Sequence, residues 1–113
     1  MLSWPPSVRV FVYTQPTDMR RSFDRLSAMV HEILNQDPFS GHLFVFVNRK
    51  ADRMKVLFWD RSGFCLFYKR LEKGVFHLPA TDHACLEIDT IRLTLILEGL
   101  DLRQTIQRKR FAI

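Results

Sequence analysis

Residues 37–79 read DPFSGHLFVFVNRKADRMKVLFWDRSGFCLFYKRLEKGVFHLP, and this stretch decides the fold. Its apolar runs follow one another closely, and the connections at 48–53 and 60–63 are charged and mostly basic. The runs are too short for helices and have the usual length of strands, so the pattern predicts an antiparallel β-meander. The predicted strands are residues 42–47, 54–59, 64–71 and a short fourth strand at 75–78.

Outside the meander, the sequence predicts a further strand and two helices. Residues 8–13 alternate with period two, which is typical of a strand. The helix that follows has one apolar stripe, and Thr17 or Asp18 is placed to cap its start. Near the C-terminus, Asp89 caps a second helix, which Gly99 ends in a left-handed conformation. The stripe of the first helix consists of Phe23, Leu26, Val30, Ile33 and Leu34.

The predicted fold is therefore α+β, with a sheet of four to five strands, one helix after the first strand and one C-terminal helix. A chain of 113 residues supports one compact domain, which we assign to residues 1–102. No run approaches the roughly 18 apolar residues of a membrane span, and the N-terminus lacks a signal-peptide pattern. Cys65 and Cys85 suit neither a metal site nor a disulfide framework. We expect a cytoplasmic protein that does not engage a membrane.

The charge is positive and unevenly distributed. Seventeen Lys and Arg residues against twelve Asp and Glu give a net charge of +5 and favour polyanionic partners. Residues 103–113 form a basic tail without an acid, which is either an arm that contacts nucleic acid or a solvated chain end. The cations of this tail are Arg103, Arg108, Lys109 and Arg110.

The turn at Asp60–Gly63 fixes which residues share a face of the sheet. A two-residue loop at Arg61 and Ser62 pairs Trp59 with Phe64, and this register sorts the two strands into two faces. The first face is apolar, and we expect it to meet the first helix. It consists of Met54, Val56, Phe58, Cys65 and Phe67. The second face combines aromatic, aliphatic and basic side chains. It consists of Arg53, Lys55, Leu57, Trp59, Phe64, Leu66, Tyr68 and Arg70.

The second face has two interpretations. Aromatic rings interleaved with cations are typical of a single-stranded nucleic-acid platform, where each stacked base contributes about 1–3 kcal/mol. Alternatively, the last helix or another subunit covers its apolar centre while the cations extend to the rim. We prefer the second interpretation, because Leu57 and Leu66 suit a buried layer. The candidate interaction face is Leu57, Trp59, Phe64, Leu66 and Tyr68.

The sequence gives no pattern for catalysis. Most carboxylates fall at predicted caps, turns or exposed helix faces, whereas two-metal phosphoryl chemistry needs acids that converge on the ions. The four histidines are scattered without a zinc motif, and neither a glycine-rich phosphate loop nor a nucleophile motif occurs. We predict no catalytic residues, no metal and no cofactor, and hence a protein that is not an enzyme.

Several separate motifs resemble one protein family across about residues 8–101. They are Thr17-Asp18-Met19-Arg20 with Phe23, Asp37-Pro38-Phe39-Ser40-Gly41 before Leu43-Phe44-Val45-Phe46, then Lys55, Trp59-Asp60, Gly63, Lys69-Arg70-Leu71-Glu72, Gly74, Phe76 and LILEGL at 95–100. The chain resembles the TnpB-like accessory proteins, second-open-reading-frame products of insertion sequences of family sixty-six. The resemblance implies an accessory factor for transposition, encoded beside a transposase that carries the cutting and joining chemistry.

Two hypotheses describe how such a factor acts. In the first, the protein binds element DNA or its single-stranded intermediates, alone or with the transposase, through the basic tail and cations of the meander. The candidates in the meander are Arg49, Lys50, Arg53, Lys55, Arg61, Lys69 and Arg70. In the second, which we prefer, the candidate interaction face or the helix with Ile91 and Leu95 docks onto the transposase, another element protein or a second copy of this chain. A third, lower-ranked possibility is a nuclease whose site is completed by a partner.

Overall fold

One mixed β-sheet with a helix on each face forms the part of the chain that the computed structural model describes, residues 4–100. The predicted α+β class is confirmed, with one helix after the first strand and one near the C-terminus. The basic tail, with Arg103, Arg108, Lys109 and Arg110, lies outside the described residues. In chain order the elements are β1 (Val10–Tyr13), α1 (Phe23–Glu32), β2 (Leu43–Val47), β3 (Arg53–Asp60), β4 (Gly63–Arg70), β5 (Cys85–Ile88) and α2 (Thr90–Leu97).

The strand order is β4-β3-β2-β1-β5, which confirms the meander only for β2, β3 and β4. β1 is parallel to β2 and antiparallel to β5, so the sheet is mixed. The predicted strand at 75–78 is wrong, because this segment is a loop that docks on the core. Phe76 is buried there, and its N–H donates to the carbonyl of Ala51 at 2.6 Å. The fifth strand is instead residues 85–88, where the sequence indicated a loop around Cys85.

The predicted register of the β3–β4 hairpin is confirmed. Asp60 pairs with Gly63 and Trp59 with Phe64. Arg61 adopts a left-handed conformation with φ of 47°, and positive φ at the first loop position is common to the two turn types that two-residue hairpins favour.

The two helices cover the opposite faces from those predicted. α1 packs on the face of Leu57, together with Phe44 and Phe46, whereas α2 packs on the face of Met54 and Val56. Both faces of the sheet are apolar, so hydrophobicity could not distinguish them. The crossover from β1 through α1 to the parallel strand β2 decides the matter, since such connections have a nearly fixed hand.

The predicted ends of α2 are confirmed, but the predicted start of α1 is not. Asp89 accepts a hydrogen bond from the N–H of Arg92 at 2.7 Å, and Gly99 has φ of 75°. α1 instead begins at Phe23, and the Asp18 carboxylate accepts hydrogen bonds from the N–H and guanidinium of Arg20 rather than from the helix. Of the predicted stripe, Leu26, Val30 and Leu34 are buried while Phe23 and Ile33 stay exposed.

Candidate nucleic-acid interface

An open groove of about 710 Å³ lies where β1 and β2 end and β3 begins. One wall is residues 16–21, between β1 and α1, and the other is the β2–β3 turn, with Tyr68 at one side. Because β1 and β2 are parallel, their carboxyl ends meet at the same edge of the sheet and bring these two connections together. We call this feature the basic groove.

The first wall is held by a buried lysine. The Lys55 ammonium donates to the carbonyls of Met19 and Arg21, both at 2.7 Å, and lies 4.8 Å from the centre of the Tyr68 ring. Lys55 is only 6% exposed. The N–H of Thr17 also donates to the carbonyl of Val47 at 2.8 Å. Lys55, a predicted phosphate contact, therefore positions the backbone of the groove and is not presented to solvent.

The second wall is a turn organised by Asn48. Its Oδ1 accepts from the N–H groups of Asp52 and Arg53, both at 3.0 Å, and its Nδ2 donates to the Asp52 carboxylate at 2.7 Å. This amide hydrogen bond lowers the pKa of Asp52. The turn is thus fixed without using Arg49 or Lys50, whose side chains are exposed.

The basic groove carries five cations and two carboxylates, a net charge of +3. Asp18 is bound by Arg20 at 2.7 Å, and this side-chain hydrogen bond lowers the pKa of Asp18 to about 2. Within residues 4–100, the other four cations form no ion pair. They are Arg21, Arg49, Lys50 and Arg53.

A buried hydroxyl lies at the same groove. Thr17 is 3% exposed, and its Oγ1 has no hydrogen-bond partner among the described residues. A buried polar group of this kind costs about 1–3 kcal/mol when it stays unpaired. Such groups in folded proteins therefore need a particular explanation.

Three more predicted cations within residues 4–100 lie outside the lining of the groove. Arg61 is exposed at the opposite end of β3 from Arg53. The Lys69 ammonium donates to the carbonyl of Leu97 at 2.7 Å, in the last turn of α2, and Arg70 pairs with Glu72 at 3.1 Å. Among the described residues, Arg49, Lys50 and Arg53 line the basic groove, and Arg70, the cross-strand partner of Arg53, lies beside it.

Sequence analysis missed Arg20 and Arg21, which line the first wall of the groove. The signal was available, because two adjacent arginines lie in the connection between the first strand and the first helix. Their significance depends on the parallel pairing of β1 with β2, which the sequence did not establish.

The candidate interaction face is divided between core and surface. Leu57 is fully buried and Leu66 half-buried against α1, so a helix covers the centre of the face, although it is not the last helix. Trp59 and Phe64 are half-buried, with ring centres 5.1 Å apart. Tyr68 is exposed and borders the basic groove.

A ring outside the predicted face completes an aromatic cluster. Phe39 lies 5.0 Å from Trp59 and 5.3 Å from Phe64, measured between ring centres, and is 57% exposed. The turn that carries it is ordered by the Asp37 carboxylate, which accepts from the N–H of Phe39 at 2.9 Å. We call Phe39, Trp59 and Phe64 the ring cluster.

The other predicted docking element, on α2, is partly exposed. Ile91 on α2 is 73% exposed, whereas Leu95 is half-buried. In the part of the chain that the structure describes, no group of three or more His, Cys, Asp or Glu residues could hold a metal ion. None of the described helices is long and apolar enough to cross a membrane.

Fold and groove together define a class: a small α+β protein whose mixed five-stranded sheet carries one helix on each face and a cation-lined groove at one end. The chain belongs to the family of IS66 Orf2-like proteins, whose sequence profile matches residues 8–107. This confirms the resemblance found in the sequence and supports an accessory role associated with transposition.

Two curated relatives come from Sinorhizobium fredii (strain NBRC 101917 / NGR234). The uncharacterized protein y4hO is 40% identical over 103 residues, which cover 91% of this chain and 90% of y4hO. The uncharacterized protein y4jC is 38% identical over 94 residues, or 83% of this chain and 80% of y4jC. No solved structure matches the chain.

Proposed function

We propose that this protein is a non-catalytic accessory factor in IS66 transposition that contacts the sugar-phosphate backbone of element DNA through the basic groove. The observation that carries the proposal is the groove itself, where five cations from two chain segments converge and four of them have no ion pair among the described residues. Cations without an ion pair attract phosphates without first breaking a salt bridge.

The walls of the groove support this function because they are ordered before any ligand binds. Lys55 fixes the carbonyls of residues 19 and 21, and Asn48 fixes the turn of Arg49 and Lys50. Preorganisation lowers the entropic cost of binding, because the groove does not have to be ordered when the ligand binds.

Charge contacts alone give weak binding. Contacts that do not depend on sequence typically have dissociation constants of about 10⁻⁴–10⁻⁶ M at physiological salt. A second attachment through the transposase would raise occupancy, because the linked contact becomes intramolecular. The accessory role therefore fits a protein that holds DNA only within a larger assembly.

The test is the salt dependence of binding to a random-sequence duplex. The triple variant Arg49→Ala/Lys50→Ala/Arg53→Ala should lower the slope of log affinity against log salt by about 2–3, one unit for each lost phosphate contact. A matched control removes three exposed cations outside the groove and should leave the slope close to that of the wild type. It is Arg25→Ala/Lys73→Ala/Arg92→Ala. Equal changes in both triple variants would exclude the groove as the binding site.

A second candidate function is protein docking through the ring cluster. The observation that favours it is Phe39, an aromatic side chain that stays 57% exposed on a hydrogen-bonded turn. Exposed aromatic anchors are typical of protein interfaces. The transposase is the expected partner, and docking there would provide the second attachment that the groove requires.

A further inference from the structure

We propose that β4 is a dimerisation edge, which pairs antiparallel with β4 of a second copy to make a continuous ten-stranded sheet. Among the strands that the structure describes, β4 lies at the end of the sheet and is hydrogen-bonded only to β3. It is eight residues long and pairs with β3 without a bulge. A long and regular edge strand of this kind is a template for another strand.

The register shows which backbone groups are free. Asp60 and Gly63 flank a two-residue loop and therefore form a hydrogen-bonded pair. Hydrogen-bonded pairs recur at every second residue of an antiparallel ladder, and the bond from the N–H of Leu71 to the carbonyl of Asp52 at 2.8 Å agrees with this pattern. Alternate residues of β4 therefore bond to β3, and the others direct N–H and C=O outward. The outward residues are Phe64, Leu66, Tyr68 and Arg70.

Most of β4 lacks the residues that protect an edge strand from pairing with another strand. Residues 63–68 contain no charge and no proline, and residues 63–67 are only half-buried although four of them are apolar. The opposite edge differs, since β5 has four residues and carries Glu87, which forms an ion pair with Arg9 at 2.7 Å. Natural proteins protect edge strands by short length and charge, and only β5 has both features.

The charges of β4 favour a second copy in the antiparallel direction. Both cations, Lys69 and Arg70, lie at one end of the strand. A parallel pair in register would place them beside their own copies, which is unfavourable. Antiparallel pairing centred on Phe67 satisfies all the outward groups, places Phe64 opposite Arg70 of the second copy, and separates the two Arg70 residues by about 20 Å.

This pairing would also join the two candidate surfaces. Phe64 belongs to the ring cluster, whereas Arg70 and Tyr68 lie beside the groove, with their side chains on the same face of the sheet. Each basic groove would then adjoin the ring cluster of the second copy, in a surface that combines cations with aromatic rings. This composite surface rests on the proposed function, whereas the dimer itself does not.

The test is the mass of the full-length protein in solution, measured by light scattering without nucleic acid. We expect a dimer for the wild type and for Leu66→Ala, and a monomer for Leu66→Pro, which removes an outward N–H that makes no bond to any residue between 4 and 100. Because both variants truncate the same half-buried side chain, only the lost N–H and the proline ring distinguish them. A monomeric wild type would overturn the proposal while leaving the groove available for DNA.

Amide hydrogen exchange on the wild type decides the matter even if Leu66→Pro fails to fold. The outward amides of Phe64, Leu66 and Tyr68 should exchange slowly at high protein concentration and faster on dilution, as the dimer dissociates. A dimer in which these three amides exchange rapidly at every concentration would show that another surface associates, and the proposal would be wrong.

Discussion

Replacing Lys55 with methionine tests whether this residue supports the groove or contacts phosphate. The substitution keeps the long apolar stem in the core but removes the ammonium that binds the carbonyls of Met19 and Arg21 at 2.7 Å. Each charge-assisted hydrogen bond contributes about 1.5–3 kcal/mol. Relief of the buried charge offsets part of this sum. We expect the free energy of unfolding to fall by about 2–4 kcal/mol.

The assay is urea unfolding of Lys55→Met, combined with the salt dependence of its DNA binding. The matched control is Lys50→Met, which removes an exposed cation from the same groove. The control should change the free energy of unfolding by less than about 0.5 kcal/mol, as most surface substitutions do. It should instead lower the salt slope by about one unit, because a phosphate contact is lost.

Lys55→Met should weaken DNA binding through the loosened residues 17–21 and keep most of the salt slope. Unchanged stability together with a slope that falls by a full unit would refute this reasoning. That result would make Lys55 a direct phosphate ligand, as the sequence alone predicted.

Three further predictions follow from the ring cluster, the basic tail and the Asp18 pair. Phe39→Ala should leave the fold stable and abolish co-purification of the transposase, and intact co-purification would exclude the ring cluster as the docking site. Trp59→Ala removes a half-buried ring and should lower the free energy of unfolding in a urea titration by up to about 3 kcal/mol. Removing residues 108–110 should lower the salt slope by about 2–3 if the tail contacts DNA, and an unchanged slope would eliminate the tail. The pKa of Asp18 is lowered from 3.8 to about 2. The stability that its pair with Arg20 contributes is therefore fully present above pH 3.8 and is lost as the pH falls through about 2. The NMR titration midpoint of Asp18 should lie near 2, and a midpoint near 3.8 would contradict the pair.

The features predictable from the sequence are those fixed by neighbours along the chain. The hairpin register followed from the two-residue loop at Arg61 and Ser62, and the ends of α2 followed from Asp89 and Gly99. Each of these depends on backbone groups within a few residues. Local chemistry therefore determined the meander and one of the two helices.

The features that the sequence did not reveal depend on distant segments. Residues 85–88 form a strand because β1 offers a free edge, and nothing in the four residues themselves indicated this partner. The exchange of helix faces had the same origin, since both faces of the sheet are apolar. The 75–78 segment has the apolar and aromatic residues of a short strand, but it is a loop whose Phe76 is buried in the core.

The candidate site was predicted only in part, for a related reason. The cations at 49, 50 and 53 were identified from their basic turn, whereas Arg20 and Arg21 join them through the parallel pairing of β1 with β2. Lys55 was misplaced because charge alone does not distinguish a solvated ammonium from one bound to two carbonyls.

The most direct measurement is an NMR titration of the isotope-labelled protein with a random-sequence DNA duplex, at low salt and with backbone amides assigned. DNA binding through the basic groove predicts the largest shift changes at residues 17–21 and 48–53, reversed by added salt. Changes confined to the ring cluster, or to the basic tail at 103–113, would contradict the groove as the DNA-binding site.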